Sequence, residues 1–228
     1  MIRRTELPVA LNRDATVTAR VYEAAEPRVD ATLILAHGAG AGQDSGFMTS
    51  FATALAELGV DVVTFNFLYT EQRRRVPDRR PALEACYAAV VQAVQSERGG
   101  AVFIGGKSMG GRIATHIAAD GRAGSARGIV LLGYPLHTPG RPEDRRDAHL
   151  PAVRRPMLFV QGNRDAFGTP AELQPVLAAL HKPASLHIVE GGDHSFKVTS
   201  NVTRQAGVFL DVQRAIVQWI RGVTAEHP

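Results

Sequence analysis

The chain is poor in cysteine: Cys86 is the only one in 228 residues. No disulfide can close within it, and a reducing, cytoplasmic setting is the simplest expectation. Cys86 falls on the apolar stripe of a helical segment, the place of a packed thiol rather than a nucleophile. No apolar run approaches the ~18 residues of a membrane span. The basic residues among 1–6 have no apolar stretch behind them, which argues against a secretory leader. Internal repeats, low-complexity tracts and flexible linkers are missing, so one domain over residues 1–228 is expected. H-E-x-x-H and paired-histidine spacings are missing too, and neither a metal nor an organic cofactor is expected.

Lysine is scarce as well, occurring only at Lys107, Lys182 and Lys197. Arginine therefore carries the formal net charge of +4. Its clusters at Arg73-Arg74-Arg75, Arg79-Arg80 and Arg145-Arg146 have no interleaved aromatic residues. That excludes a nucleic-acid-binding pattern and leaves solvated surface charge as the ordinary reading.

Apolar and period-2 runs predict strands near 6–11, 16–22, 32–37, 61–67, 101–106, 128–133, 157–161 and 185–190. Helical stripes alternate with them from residue 44 onward. Phe47, Phe51, Leu55 and Leu58 form one, stopped by Gly59. Leu83, Cys86, Tyr87, Val90, Val91 and Val94 form another, and Val208, Phe209, Val212, Ile216, Trp219 and Ile220 a third. Thr169-Pro170-Ala171-Glu172 reads as a capping box opening a helix that ends near Leu180, with Pro175 expected to kink or delay it. The expected fold is α/β: a mostly parallel eight-stranded sheet with helices on both faces.

The most informative segment is Gly105-Gly106-Lys107-Ser108-Met109-Gly110-Gly111, between a strand and a helix. G-x-S-x-G in that context is a sharp turn that lifts a serine hydroxyl clear of the sheet, with φ > 0 expected at Ser108. The rival phosphate loop needs glycine at 101, where alanine stands. A second loop, His37-Gly38-Ala39-Gly40-Ala41-Gly42, follows the third strand. Its G-x-G-x-x-G fails at Gln43 and at Ser45, so dinucleotide binding is excluded. It fits one half of an oxyanion hole, with Ala39 the first choice of donor, Gly40 the second, and Met109 supplying the other half.

Ligands of such sheets bind beyond the carboxyl ends of the strands. There Asp165 follows the seventh strand and His194 the eighth. Ser108, Asp165 and His194 thus form a candidate catalytic set of nucleophile, acid and base, with Glu190 and Asp193 as weaker candidates for the acid. Candidate substrate contacts are His37, Lys107, Tyr134, His137 and Arg73, with His37 chiefly a brace of its loop.

The blocks Leu35-Ala36-His37-Gly38-Ala39-Gly40, Phe65-Asn66-Phe67, residues 105–112, Leu132-Gly133-Tyr134-Pro135-Leu136-His137, residues 161–165 and Gly192-Asp193-His194 resemble the alpha/beta-hydrolase superfamily. The chain looks most like its testis-expressed protein 30-like branch, related more distantly to dienelactone hydrolases. The resemblance covers about residues 32–197. It implies the fold and a serine hydrolase triad at Ser108, Asp165 and His194, but no particular substrate. Serine stands where dienelactone hydrolases use cysteine, which tells against a dienelactone substrate.

Residues 134–156 sit where many hydrolases insert a lid. They are too short and too rich in proline and arginine for a cap domain, so an open site is expected. The expected activity is cleavage of a small-molecule ester, with a non-catalytic interaction module on the same scaffold as the alternative. The arginine runs at 73–80 and 141–146 are expected at this edge too, drawing an acidic acyl substrate or an anionic partner.

Overall fold

Eight runs of the sequence form strands: β1 (Arg4–Ala10), β2 (Thr16–Tyr22), β3 (Val29–Ala36), β4 (Val60–Phe65), β5 (Ala101–Lys107), β6 (Gly128–Leu132), β7 (Met157–Gly162) and β8 (Ala184–Val189). This computed structural model describes residues 2–26 and 28–226. The strands lie side by side in the order β1-β2-β4-β3-β5-β6-β7-β8. Only β2 runs against the rest, pairing antiparallel with both β1 and β4. Every residue of β4, β5, β6 and β7 is buried. That is why these strands read as largely apolar runs without strict alternation: a parallel sheet covered on both faces has no polar side to alternate with.

Three strands differ from the sequence expectation by two residues or more at one end: β1, which starts at Arg4 rather than 6, β3 and β4. β3 starts at Val29, with an irregularity in its pairing to β4 between Val29 and Thr32. β4 stops at Phe65 rather than 67 because the chain turns at Phe67 into the single-turn helix α2 (Leu68–Glu71). The Phe67 N–H donates to His37 Nε2 instead of to a neighbouring strand.

The remaining helices are α1 (Gly46–Glu57), α3 (Arg80–Glu97), α4 (Met109–Ala119), α5 (Pro170–Ala178) and α6 (Val202–Glu226). Helices α1 and α6 cover one face of the sheet through Met48, Phe51, Leu55, Val212, Ile216 and Ile220. Helices α3, α4 and α5 cover the other through Leu83, Tyr87, Val90, Ile113, Ile117 and Leu173. The capping box at α5 is complete. The Thr169 hydroxyl accepts from the Glu172 N–H, and the Glu172 carboxylate accepts from the Thr169 N–H. Pro175 is taken into this helix, which ends at Ala178, two residues before the expected Leu180. Between β6 and β7 the chain makes turns, one isolated bridge and a single 3₁₀ turn (Leu150–Ala152), with no lid over the strand ends.

One buried side chain ties α3 to the middle of the sheet. The Tyr87 hydroxyl accepts from the Gly105 N–H at 2.9 Å and also contacts the carbonyl oxygens of Ile34 and Gly105. It thereby fixes the end of β5, two residues before the turn at Lys107 and Ser108. Tyr87→Phe should remove these buried hydrogen bonds and destabilise the protein by about 0.5–1.5 kcal/mol. Urea unfolding followed by circular dichroism measures the loss.

Candidate active site

Close backbone packing builds the turn that carries Ser108. Strand β5 gives way to α4 within one residue, and Ser108 adopts φ 51° and ψ −113°. A non-glycine residue at positive φ is strained and is held only by its surroundings. A methyl group placed on Gly110 would lie 2.4 Å from the Ala36 carbonyl oxygen and 2.7 Å from that of His37. One placed on Gly106 would lie 2.6 Å from the Ala36 oxygen. Both glycines are therefore fixed by contact with the end of β3, the root of the glycine-rich loop.

The other two members of the set meet Ser108 from β7 and β8. His194 Nε2 lies 2.9 Å from Ser108 Oγ, and His194 Nδ1 lies 2.8 Å from Asp165 Oδ2. Asp165 is 1% exposed, and its carboxylate accepts from Gln161 Nε2 at 2.9 Å and from the Phe167 N–H at 2.8 Å. Those donors leave its Oδ2 aimed at the imidazole. The Phe167 ring lies against His194 at 4.2 Å between centroids. An imidazole held by a carboxylate on one nitrogen can take a hydroxyl proton on the other. The weaker candidates for the acid are engaged elsewhere. Asp193 accepts from the N–H groups of Ser195 and Lys197, and exposed Glu190 accepts from Asn163.

The three side chains open into a cavity of about 570 Å³. Gly38, Ala39, Lys107, Met109, Arg80, Arg112, Pro135, Arg146 and Phe167 are among its lining residues. Of the two loop donors considered, Ala39 lines the cavity, whereas Gly40 is turned away at φ 74° and exposed to solvent.

The candidate substrate contacts divide. Lys107 lines the cavity and is 9% exposed. Its ammonium is pushed down to about 8 by burial, against the opposing pull of Asp165 and Asp193. His37, Tyr134, His137 and Arg73 lie outside the lining. His37 is fully buried. It accepts from the Phe67 N–H and contacts the Gly38 carbonyl through Nδ1, so it braces the loop, and burial lowers its pKa. Tyr134 is drawn inward by its N–H bond to Gln161 and by donating its hydroxyl to the Arg146 carbonyl. His137 reaches Glu172 at the start of α5, at 3.2 Å. Arg73 is exposed at the end of α2 with φ 58°.

Of the two arginine runs, only Arg80 and Arg146 line the cavity. Arg74, Arg141 and Arg145 pair with Asp78, Asp144 and Asp147. The sequence reading missed Arg112, whose only signal was its place one turn beyond Ser108 on the same helix. It also missed Gln161, a buried glutamine at the end of an apolar strand. Among the described residues, no cluster of three or more histidine, cysteine, aspartate or glutamate side chains is arranged to hold a metal ion. No helix among them is long and apolar enough to cross a membrane.

Two outcomes test this geometry. Gly133 sits at φ 63°, and a methyl group there would lie 2.9 Å from the His194 carbonyl oxygen and 3.3 Å from its Nδ1. Gly133→Ala should push His194 off Ser108 and cut reaction with a serine-directed fluorophosphonate at least about tenfold, since overpacking a tight contact shifts the backbone. Gel fluorescence of the labelled protein measures it. The second outcome concerns Lys107, whose pKa is lowered from 10.5 to about 8 in the folded chain. Between those pH values the unfolded chain holds the extra proton, so stability should rise with pH through that window. Thermal melts from pH 7 to 10.5 should show this rise, and Lys107→Met should lack it.

Comparison with known proteins agrees with this architecture. A sequence-family model described as an alpha/beta hydrolase domain matches residues 29–221. A solved alpha-beta serine hydrolase homologue from Coxiella burnetii superposes with a TM-score of 0.74 at 19% identity, covering 94% of this chain and 96% of that one. A Xanthomonas campestris protein described as an a/b serine hydrolase without lid gives 0.74 at 20% identity, covering 95% of each chain. Dienelactone hydrolase from Anabaena variabilis gives 0.72 at 18% identity, covering 93% of this chain and 96% of that one. With the family match spanning most of its length, the chain belongs to the alpha/beta hydrolase domain family.

Proposed function

We propose that the protein is a serine hydrolase that cleaves a small or accessible carboxylic ester through an acyl-enzyme. The observation that carries this reading is the continuous row Ser108–His194–Asp165, with contacts of 2.9 and 2.8 Å, opening into an uncovered cavity. His194 takes the proton of Ser108 as its oxygen attacks the ester carbonyl, and Asp165 holds the tautomer and stabilises the imidazolium. The tetrahedral oxyanion lies at the start of α4, where the N–H groups of Met109 and Ala39 serve as donors. Each such donor is worth about 3–4 kcal/mol in the transition state. His194 then returns the proton to the departing alcohol, and water repeats the cycle on the acyl-serine. No step calls for a cofactor. The sequence blocks favour a place near the testis-expressed protein 30-like branch, and the single, buried Cys86 fits a reducing, cytoplasmic setting.

A fluorophosphonate probe should label the protein, and Ser108→Ala should abolish the labelling. Absence of labelling in folded wild-type protein would favour a non-catalytic interaction module instead. Asp165→Asn should lower kcat on 4-nitrophenyl acetate by as much as about 10⁴-fold, measured by release of nitrophenolate.

A further inference from the structure

The cavity has one wall that ester cleavage by Ser108 does not itself require. Arg112 lies on α4 one turn past Ser108, its N–H donating to the Ser108 carbonyl at 3.1 Å. Side chains on a helix lean toward its N-terminus, so Arg112 reaches back over the turn that begins at Ser108. Arg146 and Arg80 line the same cavity. Arg80 pairs with Glu84, and the one aspartate in the lining, Asp78, is taken by Arg74 at 2.7 Å. Arg146 donates to the Thr138 hydroxyl. Among the described residues neither Arg112 nor Arg146 has an acidic partner, and the Arg112 Nε–H is buried with no acceptor. A buried donor without an acceptor is costly, and a guanidinium fork matches a carboxylate in shape and charge.

The charge of this wall reaches its neighbours, two histidines that burial and the arginines together keep neutral. His116 and His149 stack behind this wall at 3.6 Å. Both are pushed down to about 4, by burial first and by Arg80 and Arg112 beyond it, with His149 also lowered by His116. Pro77, Leu83 and Pro135 also belong to the lining and suit a hydrocarbon spacer. The leaving group must sit beside His194 to receive its proton, so the α4 wall faces the acyl chain.

We propose that Arg112, assisted by Arg146, is a specificity residue that selects esters whose acyl chain ends in a carboxylate. The kinetic half of this inference rests on the hydrolase reading; the binding half does not.

Both halves can be read separately. In protein labelled with nitrogen-15 arginine, the Arg112 Nε–H resonance is identified by its loss in Arg112→Gln. It should shift on adding adipamate, a monocarboxylate with an amide in place of the ester, and stay in place with neutral hexanamide. In kinetics, kcat/KM for 4-nitrophenyl hemiadipate should exceed that for 4-nitrophenyl hexanoate by about tenfold, the scale of a charge-assisted contact. That ratio should fall to about one in Arg112→Gln, with Arg112→Lys between. A resonance that does not respond to adipamate, or a preference that survives Arg112→Gln, would overturn the proposal. An equal response to inorganic phosphate would overturn the choice of carboxylate. If the probe fails to label wild-type protein, the hydrolase reading falls, while the resonance still decides whether Arg112 binds the acid.

Discussion

The contact of the β5–α4 turn with the end of β3 is the constraint on which the rest depends. Two backbones approach closely enough that glycine alone fits at positions 106 and 110. The same contact holds Ser108 at its strained dihedral and sets the Gly38 loop beside it, so that a methyl on Gly38 would lie 3.5 Å from Ser108 Cβ. Ser108 and the glycine-rich loop are thereby fixed relative to each other. Preorganisation of this kind is what lets backbone dipoles stabilise a developing charge without rearranging.

The second support is polar and buried. Gln161, fully buried at the end of β7, donates to Asp165 and to the carbonyl oxygens of Gly168 and Tyr134, while its own oxygen accepts from the Tyr134 N–H. One amide thus ties the acid to the segment that follows β6. Buried networks specify a unique arrangement only when each member is satisfied, and here the carboxylate has protein donors on both oxygens. The glycine-rich loop has a parallel brace on its other side. Gln43 is held by Asn66, Thr18 and Thr64, and Asn66 in turn donates to Glu71.

Much of this was legible in the sequence, because the parts with the strongest local signatures are also those under the strongest constraint. Fully buried strands must be largely apolar, the elbow must carry glycine, and a serine, an aspartate and a histidine that follow the parallel strands β5, β7 and β8 emerge at one edge. What escaped the reading depended on direction. Tyr134 and His137 follow β6 at the correct edge, but the chain folds back, and the Arg146 carbonyl and Glu172 turn both side chains inward. Gly40 and Ala39 differ by one residue, and only the turn at Gly40 decides which of them faces the cavity. Arg73 belongs to a run of like charges at the surface, whereas Arg112 stands alone on a helix and looks unremarkable until its wall of the cavity is known.

The row Ser108–His194–Asp165 hangs from strands of unequal security. Ser108 and Asp165 follow strands whose every residue is buried. His194 follows β8, the margin of the sheet, where the burial is only partial and the cover comes from α5 and α6. Regions with fewer buried contacts open at lower free energy than the whole. On warming, the margin that carries His194 should loosen while the centre of the sheet is still intact.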